Sequence, residues 1–157
     1  MKTFTPWIGL ISRLILGGVL LAAGLLKYQH LDKSQMAVRA YELLPIAIAN
    51  VIGIVLPFLE IGMGLLLILG AGTRIVGLAG AVLMFIFVIG ISQAWARGLS
   101  IDCGCFGGGG QVAPGTANYL PELLRDAGLA ALGIYLFIYP QSKFALDKNS
   151  HQQGNQS

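Results

Sequence analysis

Three long apolar stretches and a fourth, shorter one leave this chain few ways to fold in water. They run from about Trp7 to Leu26, Leu43 to Leu69, Ile75 to Trp95 and Ala127 to Tyr139. A helix of roughly 20 residues rises about 30 Å, the thickness of a hydrocarbon core. Charge is scarce: 11% of the 157 residues are Asp, Glu, Lys or Arg, and mean hydropathy is +0.75. Soluble domains carry about 25% charged residues, so a surface made from this chain expects lipid. The expected fold is all-α, an integral-membrane four-helix bundle over residues 1–140. A polar tail at 141–157, expected to be disordered, follows it.

Local signals place the segments. Lys2 ahead of the first stretch and the small residues Leu21-Ala22-Ala23-Gly24 imitate a signal peptide. Arg13 and the length of the run argue instead for a retained helix. Gly17, Gly18, Ala22 and Ala23 would let a neighbouring backbone approach. Residues 27–42 alternate charges with Met36, Val38 and Tyr41, which predicts a short interfacial helix, and Pro45 suits the start of the next one. Pro57 predicts a kink or tilt in the second long helix. Gly70-Ala71-Gly72-Thr73-Arg74 predicts a tight turn. Residues 96–126 form the longest polar connection, with a helix start near Asn118 or Tyr119 and Pro121 and Glu122 in its first turn.

An even number of helices puts both termini on one side and both long connections on the other. The ten Lys and Arg are scattered singly along a chain of net charge +3, so nothing supports nucleic-acid binding. They also fail to fix an orientation by the positive-inside rule.

The longest connection holds both cysteines of the chain, in Asp102-Cys103-Gly104-Cys105-Phe106-Gly107, followed by Gly108, Gly109 and Gly110. Two thiols in a glycine loop can be inert, can form one structural disulfide, can bind metal or can exchange disulfides. Metal is disfavoured, because structural zinc and iron–sulfur sites usually take four protein ligands and only His30 and His151 could help. No cofactor is expected, and a quinone is left open with no motif for one. Gly104 lets the backbone bend enough to join Cys103 and Cys105 in a small strained ring, which favours an exchanging bond over a structural one. Asp102 opposes thiolate formation, an effect that Arg97 or Arg125 would offset.

Glu60, deep in the second long run, is an ionisable group in hydrocarbon and so a functional candidate. It reads either as an interhelical clamp, most simply with Arg13, or as a proton or quinone site. Arg13 carries the same two readings, weighted to structure because it can snorkel. Lys27, Trp95 and Arg97 read as interfacial anchors and His30 as a solvated loop residue.

These pieces together resemble a known family. Leu-Pro-Phe-Leu-Glu-Ile-Gly-Met-Gly around Glu60 and Asp-Cys-Gly-Cys-Phe-Gly after the third helix are similar to the methylamine-utilisation MauE family, within the wider DoxX-like group. Arg13, Gly24, Lys27 and Tyr41-Glu42-Leu43-Leu44-Pro45 add to the match, which covers about residues 8–140. The resemblance implies a bacterial inner-membrane protein linked to thiol–disulfide chemistry. It further implies Cys103 and Cys105 as the redox pair, a thioredoxin-like partner and a role in maturing disulfide-containing clients whose identity is not specified. Asp102, Gly104, Phe106 and Gly107 would support the pair. The cysteine loop is expected on the periplasmic face, with both termini in the cytoplasm. The alternative is a non-catalytic DoxX-like membrane subunit of an oxidoreductase complex, with the cysteines as a loop clip.

Overall fold

The computed structural model describes residues 5–102, 110–115 and 117–139. Cys103, Gly104, Cys105, Phe106 and Gly107 therefore lie outside the described residues, as does the tail from residue 140. Within them the chain forms five helices: α1 (Thr5–Gln29), α2 (Leu31–Ala40), α3 (Ile46–Leu69), α4 (Thr73–Ala96) and α5 (Tyr119–Ile138). A two-residue ladder, β1 (Ile101–Asp102) with β2 (Gly110–Gln111), stands between α4 and α5. Three helices, α1, α3 and α4, are long and apolar enough to cross a membrane. The fourth expected crossing, α5, has 20 residues but carries Glu122, Arg125 and Asp126 in its first half.

Helix boundaries follow local chemistry. Pro45 is the N-cap of α3, where its missing N–H costs nothing. α3 then runs unbroken through Pro57. At its end Gly70 is left-handed (φ 77°), while Ala71 N–H reaches Leu66 O at 2.9 Å and Gly70 N–H reaches Leu67 O at 3.2 Å. This paired closure satisfies orphan carbonyls and turns the chain at once into α4.

The helices associate as two antiparallel pairs, α1 with α3 and α4 with α5, with α2 laid on α3. Missing side chains set both interfaces. A Cβ on Gly64 would stand 2.7 Å from Leu21 N and 2.8 Å from Gly17 O, and one on Gly133 would stand 2.6 Å from Gly77 O. Backbones this close gain dispersion contacts that lipid cannot replace. Gly18 and Gly62, also small residues in the apolar runs, face open space. Between the pairs, Leu16 and Leu20 of α1 meet Leu67, Met84, Leu129, Ala130 and Leu136 in one core. The outer faces stay apolar, as Ile75 (76% exposed), Ile46 (67%) and Leu124 (66%) illustrate. Such faces suit a hydrocarbon solvent.

Candidate functional site

One end of the molecule is built to hold the ladder. Ile101 pairs with Gln111 and Asp102 with Gly110, and Val112 N–H adds a further bond to Ser100 O at 2.9 Å. Beneath this base, Ala40, Tyr41, Ile91, Ala94, Ile101 and Tyr119 form a second core. Tyr119 opens α5, and its hydroxyl donates to Leu99 O while accepting the Ile101 N–H at 3.1 Å. One buried side chain thus fixes the backbone on both sides of Ser100. Its ring lies 6.0 Å from that of Trp95.

The turn between α2 and α3 closes the same end. Arg97 Nη1 donates to Tyr41 O at 3.2 Å and to Gln93 Oε1 at 3.1 Å, and Gln93 Nε2 also reaches Tyr41 O at 3.2 Å. Arg97 Nη2 meets Glu42 Oε2 at 3.3 Å. Glu42 sits at φ 51°, a left-handed conformation that non-glycine residues avoid. The Arg97 bonds to this corner hold it in place. Arg97 is therefore a bracket joining α4 to the α2–α3 turn, more specific than the interfacial anchor its sequence position suggests.

The seven residues 103–109, with both cysteines, connect the paired Asp102 and Gly110. Asp102 itself is half-buried in β1. Asp102 and Gly110 are thus held by backbone pairing, and the strand leading to Asp102 is held by Tyr119. The ladder itself stands at the end of the helices opposite Thr5 and Tyr139.

A second group of polar side chains lies inside the helix pairs. Lys27 Nζ donates to Glu60 Oε1 at 2.7 Å, and the two side chains are 3% and 1% exposed. The Lys27 ammonium also stands 5.2 Å from the centroid of the Phe87 ring. Glu60, read from the sequence either as an interhelical clamp or as a proton or quinone site, makes an interhelical contact whose hydrogen-bonded cation is Lys27 and not Arg13. Arg13 is itself buried, at 1% exposure. The reason lies in helix register. Gly17 faces Gly64 and Gly24 faces Pro57 and Ile61, which brings the last turn of α1 towards the level of α3 just before Glu60. Helical side chains lean towards their own N-terminus, so Lys27 points back into the interior. It reaches a partner deeper than its own Cα.

Asp126 of α5 belongs to this interior as well. It is 1% exposed, and its Oδ1 accepts from Arg125 Nε at 2.9 Å and Nη2 at 2.8 Å. Asp126 is not among the candidates drawn from the sequence. The available signal was an acid one helical turn before the core residues Leu129 and Ala130.

Among the described residues, no cluster of three or more His, Cys, Asp or Glu could hold a metal ion. A shallow groove lined by Ser92, Trp95, Ala96 and Leu123 opens between α4 and α5 near the ladder.

Comparison with known proteins adds a family. A family profile described as methylamine utilisation protein MauE matches residues 5–139. The methylamine utilization protein MauE of Methylorubrum extorquens is 37% identical over 115 residues, covering 71% of this chain and 59% of that protein. Its counterpart in Paracoccus denitrificans is 31% identical over 98 residues, covering 62% of this chain and 53% of that protein. The chain thus spans between half and three-fifths of these relatives' length. No solved structure matches it.

Proposed function

The chain belongs to the methylamine utilisation protein MauE family, and on that premise we propose that it is a membrane thiol–disulfide exchange protein. Cys103 and Cys105 are its redox pair, a thioredoxin-like protein its partner, and disulfide-containing proteins its clients. Methylamine utilisation is the setting that the relatives' names suggest. The supporting observation is that the only two cysteines, separated by Gly104 alone, fall in the seven-residue connection between Asp102 and Gly110. Two thiols so tethered stay near each other through a reaction cycle.

The exchange balances without a cofactor. One thiolate attacks the partner's disulfide, forming a mixed S–S bond and expelling a partner thiolate. The second thiolate then attacks the mixed bond, closing Cys103–Cys105 and releasing the partner as a dithiol. Two electrons pass to the partner, and the same steps reversed oxidise it. In this reading α5 is the fourth crossing, since 20 residues rise about 30 Å. Its polar first half packs against protein, with Asp126 buried and Tyr119 in the second core. The bundle stands in the bacterial inner membrane, with the cysteine segment on the periplasmic face and both termini in the cytoplasm.

The test is to change Cys103 or Cys105 singly to Ser in cells. One variant should accumulate a covalent complex with the partner, both should lose client oxidation, and both should still insert in the membrane. Full client oxidation by both single variants contradicts exchange and favours a non-catalytic membrane subunit.

A further inference from the structure

Pro57 stands near the middle of α3, which continues through it. Proline has no N–H, so the bond that residue 57 would donate four residues back, to Gly53 O, cannot form. A bare carbonyl in an apolar interior is costly. Its partner comes from another helix. Ser34 Oγ of α2 donates to Gly53 O at 2.7 Å, and Ser34 is only 3% exposed. At the same place a Cβ on Gly53 would stand 2.6 Å from Gln35 Cα and 2.9 Å from Gln35 N. The hydrogen bond and the close backbone approach form one joint between α2 and the proline position of α3.

A helix as short as α2 depends on such a joint. Ten residues are too few for a helix that is stable by itself, and its N-cap, His30, makes no side-chain capping bond. Its other end is tied as well: Tyr41, the C-cap, offers its carbonyl to Gln93 Nε2 and Arg97 Nη1, both at 3.2 Å. Between these ties Ser34, Ala37 and Ala40 follow at intervals of three and form one buried stripe. Ala40 joins Ile101 and Tyr119 in the second core, and α2 lies against both strands of the ladder. From Ser34 to Ala40 is about 9 Å along one helix. A shift of α2 at the proline position is therefore carried to the ladder.

We propose that Ser34 is a positioning residue for thiol exchange: by bonding the carbonyl that Pro57 leaves open it seats α2, and α2 seats the ladder from which the cysteine connection departs. The role in exchange rests on the thiol–disulfide reading given above, whereas the seating of the ladder does not. Cys103 and Cys105 are separated by Gly104 alone, so the bond between them closes locally, whatever α2 does. Presenting them to a second protein is different, because that protein must meet a base of fixed shape. Losing the Ser34 bond therefore slows the step between two proteins and spares the step within the pair.

The test compares wild type, Ser34→Ala, Pro57→Ala and the double variant, each as the full chain in lipid nanodiscs. Amide hydrogen exchange is read at Ile101 and Val112, whose N–H groups bond the Tyr119 hydroxyl and Ser100 O. Ser34→Ala should speed exchange at these amides by up to about fivefold, the factor of one typical lost hydrogen bond, with α4 and α5 unchanged. Pro57→Ala restores an N–H to residue 57, so adding Ser34→Ala to it should have a smaller effect. In cells, Ser34→Ala placed in the single-cysteine variant that traps the partner should lower the covalent complex several-fold. With both cysteines present, dithiothreitol should reduce their bond at the wild-type rate. Unchanged exchange at the ladder, a uniform loss of protection over all helices, or full additivity with Pro57→Ala overturns the joint. An undiminished complex, or an altered dithiothreitol rate, overturns its part in exchange. A complex that fails to form even with Ser34 intact contradicts the exchange reading instead, and the amide data still decide the joint.

Discussion

Replacing Lys27 with Met should destabilise the protein more than its position near a helix end suggests. The 2.7 Å bond to Glu60 lies at 1–3% exposure, so removing the ammonium strands a carboxylate in the interior. Breaking one partner of a buried pair costs about 3–5 kcal/mol. Glu60→Gln should cost less, about 1–3 kcal/mol, because the amide oxygen can still accept from Lys27. With both changes no charge of the pair remains, so the double variant should fall short of the sum by about 1–3 kcal/mol. Reversible SDS unfolding in mixed micelles, followed by helical circular dichroism, measures all four corners of the cycle. The Lys27→Met deficit should also shrink as pH falls, since protonating Glu60 discharges the stranded group. Strictly additive losses with a pH-independent deficit would refute the reasoning.

The glycine interfaces make a contrasting pair of tests. Gly64→Val puts a Cβ 2.7 Å from Leu21 N and 2.8 Å from Gly17 O, and overpacking against backbone should cost at least about 1–3 kcal/mol in the same unfolding assay. Gly62→Ala meets nothing within 4 Å and should be neutral or stabilising by up to about 1 kcal/mol. Tyr119→Phe removes the hydroxyl that bridges Leu99 O and the Ile101 N–H, at about 1 kcal/mol per lost bond. Faster amide exchange confined to residues 99–102 should report it, and unchanged exchange there would contradict the bracing role of Tyr119.

The helices were legible because each carries its own signals. Apolar runs set α1, α3 and α4, Pro45 started α3, and Gly70 and Gly72 turned the chain between α3 and α4, both with positive φ. Alternating charge and apolar residues gave α2. The partner of Glu60 was not legible. Arg13 and Lys27 are both cations of the first helix, and only the Gly17–Gly64 and Gly24–Ile61 register decides which one reaches it. Composition likewise said that small residues would pack helices but not which: Gly17 and Gly64 do, whereas Gly18 and Gly62 face open space. Asp126 was concealed for a related reason. Its neighbour Arg125 is partly exposed while Asp126 is not, a difference of 100° around one helix that a polar dipeptide does not reveal. The brief ladder at residues 101–102 and 110–111 is likewise too short to leave an alternating pattern.

The measurement bearing most directly on the central claim is the redox state of Cys103 and Cys105 in intact cells. Acid quenching followed by mass-tagged alkylation reads it, since these are the only two cysteines in the chain. The account predicts a disulfide that opens and re-forms as reductant is added and removed, together with a partner-linked species. Thiols that stay reduced throughout, or a bond that never opens, would contradict it.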